Sequence, residues 1–127
     1  MPSVQIITAI AFAKTGAQVM ARIAGQSGAL ITQASLTTIH RRVTNDQTGA
    51  EISASTALTI SAVVFDTLQT DARWTKDATG YGFLDVVTAA ILTTANIIHL
   101  VEYKFTPVSG QVFGFAVKIP TLKSLTF

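Results

Sequence analysis

His99-Leu100-Val101-Glu102-Tyr103-Lys104-Phe105, followed by Pro107-Val108-Ser109-Gly110 and then by Val112-Phe113-Gly114-Phe115-Ala116-Val117-Lys118-Ile119, decides the fold. In an extended chain His99, Val101, Tyr103 and Phe105 share one face, while Leu100, Glu102 and Lys104 share the other. Phe113, Phe115, Val117 and Ile119 alternate in the same way with Val112, Gly114, Ala116 and Lys118. Two half-buried strands around a Pro-to-Gly turn make a hairpin, because Pro fits an early turn position and Gly supplies φ > 0.

The same period extends outward. Val19, Ala21 and Ile23 oppose Met20 and Arg22, and over residues 58–65 Leu58, Ile60, Ala62 and Val64 alternate with Thr59, Ser61 and Val63. Residues 36–43 read as a strand entered through one capped turn, Thr32-Gln33-Ala34-Ser35, with Thr32 as N-cap. Residues 85–92 have some helical character, but Val86, Val87 and Thr88 favour a strand to Thr88 and then a loop. Turn signals stand at Gly25-Gln26-Ser27-Gly28 and Asn45-Asp46-Gln47-Thr48-Gly49. Many short alternating strands with turns between them define an all-β sandwich or barrel with little helix. The organisation is an N-terminal strand or arm over 1–16, a β domain over 17–120 and a tail over 121–127. The apolar run at 4–13 is either a first strand of the sandwich or an arm that adds a strand to a neighbouring subunit. On the arm reading, removing residues 1–13 leaves a folded domain.

Composition limits the function. The chain has 127 residues, 49% of them hydrophobic and only 13% charged. That is about half the usual charged share of ~25%, and mean hydropathy is +0.47. A spanning helix needs ~20 predominantly apolar residues. The best runs, 4–13 and 84–100, are interrupted by polar residues, and Met1-Pro2-Ser3 lacks the basic start of a signal peptide. Burial against other subunits is the remaining expectation, with no membrane partner. Net charge is +2 and the bases are scattered, with Arg41-Arg42 the sole adjacent pair. Nucleic-acid binding needs a clustered basic stripe, so no nucleic-acid partner is expected. There is no Cys, hence neither a disulfide framework nor a thiolate metal site.

Residues 63–85 interrupt the strand pattern with a long polar stretch holding the only Trp, Trp74, and four acids, Asp66, Asp71, Asp77 and Asp85. A long irregular connection of this kind is functional or packs as its own unit, and an indole at its centre favours packing. Trp74, Tyr81 and Phe83 are read as its structural anchors, with Gly80-Tyr81-Gly82 a turn that swings Tyr81 or Phe83 onto the core. The competing reading makes Trp74 and Tyr81 a sugar-stacking platform. The acids lack the spacing of a Ca²⁺ loop and read as turn caps and ion-pair partners of Arg73 and Lys76. His40 lies beside two arginines and His99 on an apolar strand face, so both read as structural. No catalytic residue, metal ligand or cofactor site emerges.

The central stretch, Phe65-Asp66-Thr67-Leu68-Gln69-Thr70-Asp71-Ala72-Arg73-Trp74-Thr75-Lys76-Asp77-Ala78-Thr79-Gly80-Tyr81-Gly82-Phe83, resembles small proteins encoded in the structural regions of tailed bacteriophages and prophages. So do Val101-Glu102-Tyr103-Lys104-Phe105-Thr106-Pro107-Val108-Ser109-Gly110 and the segment from Ala21-Arg22-Ile23 through Ile31-Thr32-Gln33-Ala34-Ser35-Leu36. Gly82 stands where such proteins often carry Asn. The resemblance implies an immunoglobulin-like β-sandwich in a virion, assembled in the bacterial cytoplasm, and it carries over no catalytic residue. The expected function is therefore non-enzymatic: a capsid decoration or cement subunit in many copies, with a neck, tail or baseplate component as alternative. The expected partners are other virion proteins and further copies of the chain. The expected contact residues are Val4, Ile6, Ile7, Ile10, Phe12, Leu122, Leu125 and Phe127. A sugar-binding adhesion module is the rival from another class, and an enzyme resting on the acids comes third.

Overall fold

The computed structural model describes residues 3–7, 11–12, 16–24, 29–72, 74, 78–88, 90–92 and 94–122. In chain order its strands are β1 (Ser3–Ile7), β2 (Ala11–Phe12), β3 (Ala17–Ala24), β4 (Leu36–Asn45), β5 (Glu51–Leu58), β6 (Val64–Gln69), β7 (Tyr81–Val87), β8 (Ile97–Pro107) and β9 (Phe113–Leu122). They form two sheets, ordered β1-β3-β7-β6 and β2-β9-β8-β4-β5. Pairing is antiparallel except for β2 on β9. The chain is thus a mostly-β protein with the two layers of a β-sandwich.

The hairpin expected from the sequence is present. β8 and β9 pair without a break from Ile97↔Thr121 to Phe105↔Phe113. Gly110, in the connection, has φ +100°. His99, Val101, Tyr103 and Phe105 are buried, whereas Glu102 and Lys104 are exposed. The turn before β4 is also as read: Gln33–Ser35 form a single 3-10 turn, with the Thr32 N–H donating to Ser35 Oγ at 3.0 Å. The turn at 25–28 lies outside the described residues.

One strand expectation is corrected. Residues 58–65 are not a continuous strand. β5 ends at Leu58, one helical turn α1 (Ile60–Val63) follows, and β6 begins at Val64. β5 is the edge of one sheet and β6 the edge of the other. The chain must therefore turn a corner between layers where the residue pattern reads straight through. Within that turn the Ala62 N–H donates to the Thr59 carbonyl.

The described parts of the first run, Ser3–Ile7 and Ala11–Phe12, are laddered onto their own chain. β1 pairs with β3 from Ser3↔Ala24 to Ile7↔Met20, and β2 pairs with β9 at Ala11↔Thr121 and Phe12↔Leu122. The run thus supplies a strand to each sheet, β1 to one and β2 to the other.

The core lies between the layers. Phe83 of β7 is fully buried and enters edge-on among the rings of the opposite sheet. Its centroid is 5.2 Å from Tyr103, 5.5 Å from Phe105 and 5.9 Å from Phe115, each pair close to perpendicular. This edge-to-face geometry matches the ring quadrupoles and contributes about 0.5–1.5 kcal/mol per pair beyond area burial. Val19, Ile23, Ile39, Val43, Val101 and Ile119 fill the space around it.

Candidate functional site

The Trp74 loop makes a second, smaller cluster on the outer side of the four-stranded sheet. Met20 points away from its core-facing neighbours Val19 and Ala21, and joins Trp74 and Tyr81, with Phe65 and Leu84 packed alongside. The Tyr81 ring lies 5.8 Å from Trp74, and its hydroxyl donates to Asp71 Oδ2 at 2.6 Å. The Arg22 guanidinium stands 6.0 Å above the indole and donates to the Gly80 carbonyl at 3.2 Å. Trp74 is 5% exposed and Tyr81 3%. Stacking on a sugar needs an open ring face, and neither ring presents one in this arrangement. Phe83 serves the main core and Tyr81 the outer cluster, so the two aromatics of the turn divide between the two faces of one sheet.

The acids do not gather. Asp66 accepts the Gln33 N–H at 2.7 Å, Asp71 accepts from Tyr81, and Asp85 points between the sheets. Asp77, with its expected partners Arg73 and Lys76, lies outside the described residues. Asp85 Oδ2 receives Arg41 Nη1 at 2.8 Å and the Tyr103 hydroxyl at 2.7 Å. Arg41 and Tyr103 are register partners on β4 and β8, so this polar bridge joins the two layers. Burial and the neighbouring Asp85 carboxylate push the Tyr103 phenol well above its usual range, and Arg41 opposes the shift. Arg41 Nε is buried without a hydrogen-bond partner among the described residues. Sequence reasoning did not single out this bridge. Its trace was there: Arg41 falls at an inward position between Ile39 and Val43, and Asp85 between Phe83 and Val87.

His99 is fully buried, its Nδ1 3.4 Å from Thr121 Oγ1, which also bonds the carbonyls of Thr94 and Ile97. Burial holds its pKa below the usual 6.5, partly opposed by a backbone hydrogen bond at Ile119. His40 is half-buried on the outer face of the five-stranded sheet. There, with Arg42, Ser55, Glu102, Lys104 and Gly114, it lines a concavity of about 390 Å³. Among the described residues no group of three or more His, Asp or Glu is placed to hold a metal ion. No helix among them is long and apolar enough to cross a membrane.

A groove of about 380 Å³ lies at the hairpin end, between the β8–β9 connection and residues 29–36. Leu30, Ile31, Leu36, Pro107, Val108 and Phe113 line it, and no charged residue does. The Val108 N–H donates to the Ser35 carbonyl at 3.0 Å and fixes one wall to the other. Leu30, Val108 and Val112, three of the four large hydrophobic residues exposed among the described ones, are 43%, 67% and 52% exposed. Leu30 and Val108 line the groove itself, and Val112 directly precedes Phe113. An apolar surface concentrated at one place is a candidate protein contact.

Of the residues expected to reach other subunits, Val4, Ile6 and Ile7 lie on β1, Phe12 on β2 and Leu122 at the end of β9. Ile10, Leu125 and Phe127 lie outside the described residues. No protein-family model matches the chain, and neither a curated protein nor a solved structure does.

Proposed function

We propose that the protein is a non-enzymatic virion subunit of a tailed bacteriophage, an immunoglobulin-like sandwich that decorates or cements the capsid through protein–protein contacts. The observation that carries this reading is the uncharged groove edged by Leu30 and Val108, on a chain with 13% charged residues. Surfaces of this kind form the apolar centre of an interface, with polar residues at the rim.

The strand order supports the immunoglobulin-like reading. With β1 and β2 as a split first strand, β3 to β9 fall in the places B, C, C′, D, E, F and G, giving A-B-E-D against A′-G-F-C-C′. The interior departs from that of antibody domains: the chain has no Cys, its Trp lies outside the sandwich, and Phe83 fills the centre.

The test is to purify particles from the bacterium that carries the gene and to locate the chain in them by mass spectrometry and immunogold labelling. Label over the heads at a copy number near that of the shell subunit supports decoration. Label at the neck or tail moves the subunit to the alternative position. Particles that lack the chain altogether refute the virion reading.

A further inference from the structure

We infer that His99 is an acid-operated latch: its protonation opens the clasp at Thr121 and frees the turn at residues 94–97 together with β2. This holds whether or not the chain is a virion subunit. Thr121 is the point where three pieces of chain meet. It pairs with Ile97 of β8 and with Ala11 of β2. Its carbonyl accepts the Asn96 N–H at 2.7 Å. Its hydroxyl lies 2.6 Å from the Thr94 carbonyl, 3.0 Å from the Ile97 carbonyl and 3.4 Å from His99 Nδ1. A hydroxyl has one proton to donate. Given to the Thr94 carbonyl, the shortest contact, it leaves the oxygen to accept from the His99 Nδ1–H. In a neutral imidazole the other nitrogen, Nε2, then carries no proton. Nε2 is buried and has no hydrogen-bond partner among the described residues.

A proton added to Nε2 puts a charged N–H where no described group accepts it. An unpaired buried charge is among the costliest groups a protein can hold, and opening to water relieves it. The surroundings supply no counter-charge. The register partners of His99 are Asn45 on β4 and Ile119 on β9. Next to these, Asp46 and Lys118 are paired with each other at 3.2 Å. On the opposite sheet the inward-facing acid is Asp85, and Arg22 belongs to the outer cluster. Asp85 is bonded to Arg41 and to Tyr103, which is four residues from His99 along β8, or about 13 Å. Glu102, on β8 itself, is exposed on the outer face. β2 and the 94–97 turn carry no titratable side chain, and Lys14 and Lys123 lie outside the described residues. The elements at the clasp are the ones that yield. β2 is two residues long and holds by two pairs, whereas β8 and β9 are paired from Ile97 through Phe105. Local opening draws on the elements with the fewest contacts.

The experiment is amide hydrogen exchange by NMR on the full chain and on His99→Gln between pH 7.5 and 5.0, corrected for the intrinsic pH dependence of exchange. Gln keeps a neutral hydrogen-bonding group and does not titrate. In the wild type, protection of the Asn96 amide and of β2 should fall about tenfold across this range. The opened state takes up the proton from the ordinary His pKa of 6.5 downward, the latched state only at lower pH. At pH 5.0 these amides should be less protected than those of Val101, Tyr103 and Phe105, while circular dichroism stays unchanged. His99→Gln should keep its protection down to pH 5.0, and His99→Leu replaces it if it does not fold. Three results each overturn the latch: clasp amides as protected as those of β8 at every pH, clasp protection that does not change with pH, or an equal acid loss in the variant.

Discussion

Arg41 on β4 reaches across the sandwich to Asp85 on β7, Nη1 to Oδ2 at 2.8 Å, with side chains only 11% and 6% exposed. Tyr103 adds a second bond to the same oxygen. A buried pair of this kind is weak evidence of net stabilisation, but breaking one partner leaves an uncompensated charge. Asp85→Asn should therefore lower the unfolding free energy by about 3–5 kcal/mol, measured by urea denaturation. The triple variant Arg41→Met, Asp85→Leu, Tyr103→Phe removes all three polar groups together and should recover most of that loss. A single variant within about 1 kcal/mol of wild type would mean that water reaches the pair.

The strands that sequence made legible are those with one wet and one dry face. β3, β8 and β9 alternate because each lies inside a sheet or pairs along much of its length. β5 and β6 escaped for the opposite reason. Both are edge strands with at least half of their residues exposed, so Ser53, Ser55, Asp66 and Thr67 carry no burial signal. The corner at α1 was hidden because Ile60 and Val64 match a period of two as well as a turn of helix. At the candidate site, the value of Trp74 as a packing anchor could be read from composition. The groove could not, since Leu30 and Val108 lie 78 positions apart and meet only through the fold.

Gly80 sets the entry to the Trp74 cluster. Its φ is +99°, and a Cβ there would collide with the Gln69 carbonyl and come within 2.8 Å of Thr70 Cγ2. Both the backbone conformation and the space exclude a side chain. Gly80→Ala should destabilise the protein by about 1–3 kcal/mol and displace Tyr81 from Trp74. Fluorescence reports the second effect: Trp74 emission should shift to the red and its quenching by acrylamide should rise. Unchanged emission in the variant would show that the loop absorbs the clash elsewhere.

His99 predicts a loss of stability in mild acid. Burial lowers its folded-state pKa, so the unfolded chain takes up the proton first as pH falls below about 6.5. Above that value the contribution is fully present. It declines between the unfolded and folded pKa values, because there the unfolded state binds more protons. Urea midpoints measured between pH 7.5 and 5.0 should fall for the wild type and fall less for His99→Leu. Equal slopes in the two proteins would assign the acid sensitivity to other groups.

The sequence leaves two readings of the N-terminal run, a first strand of the sandwich or an arm to a neighbouring subunit, and they differ in what truncation does. As an arm it would be dispensable to the fold, yet the backbone of Ser3–Ile7 forms an edge ladder on β3, and that of Ala11–Phe12 a ladder on β9. Removing residues 1–13 strips strands from both layers and uncovers the edge of β3, whose Val19, Ala21 and Ile23 belong to the core. A lost ladder hydrogen bond costs about 0.5–1.5 kcal/mol net, and several together are a large part of a total near 5–15 kcal/mol. The truncated chain should melt well below the full chain, or aggregate through the exposed edge. Failure to enter particles would then report a lost fold rather than a lost contact, so melting and incorporation must be measured on the same preparation. A truncated chain that melts like the full one but stays out of particles would favour the arm.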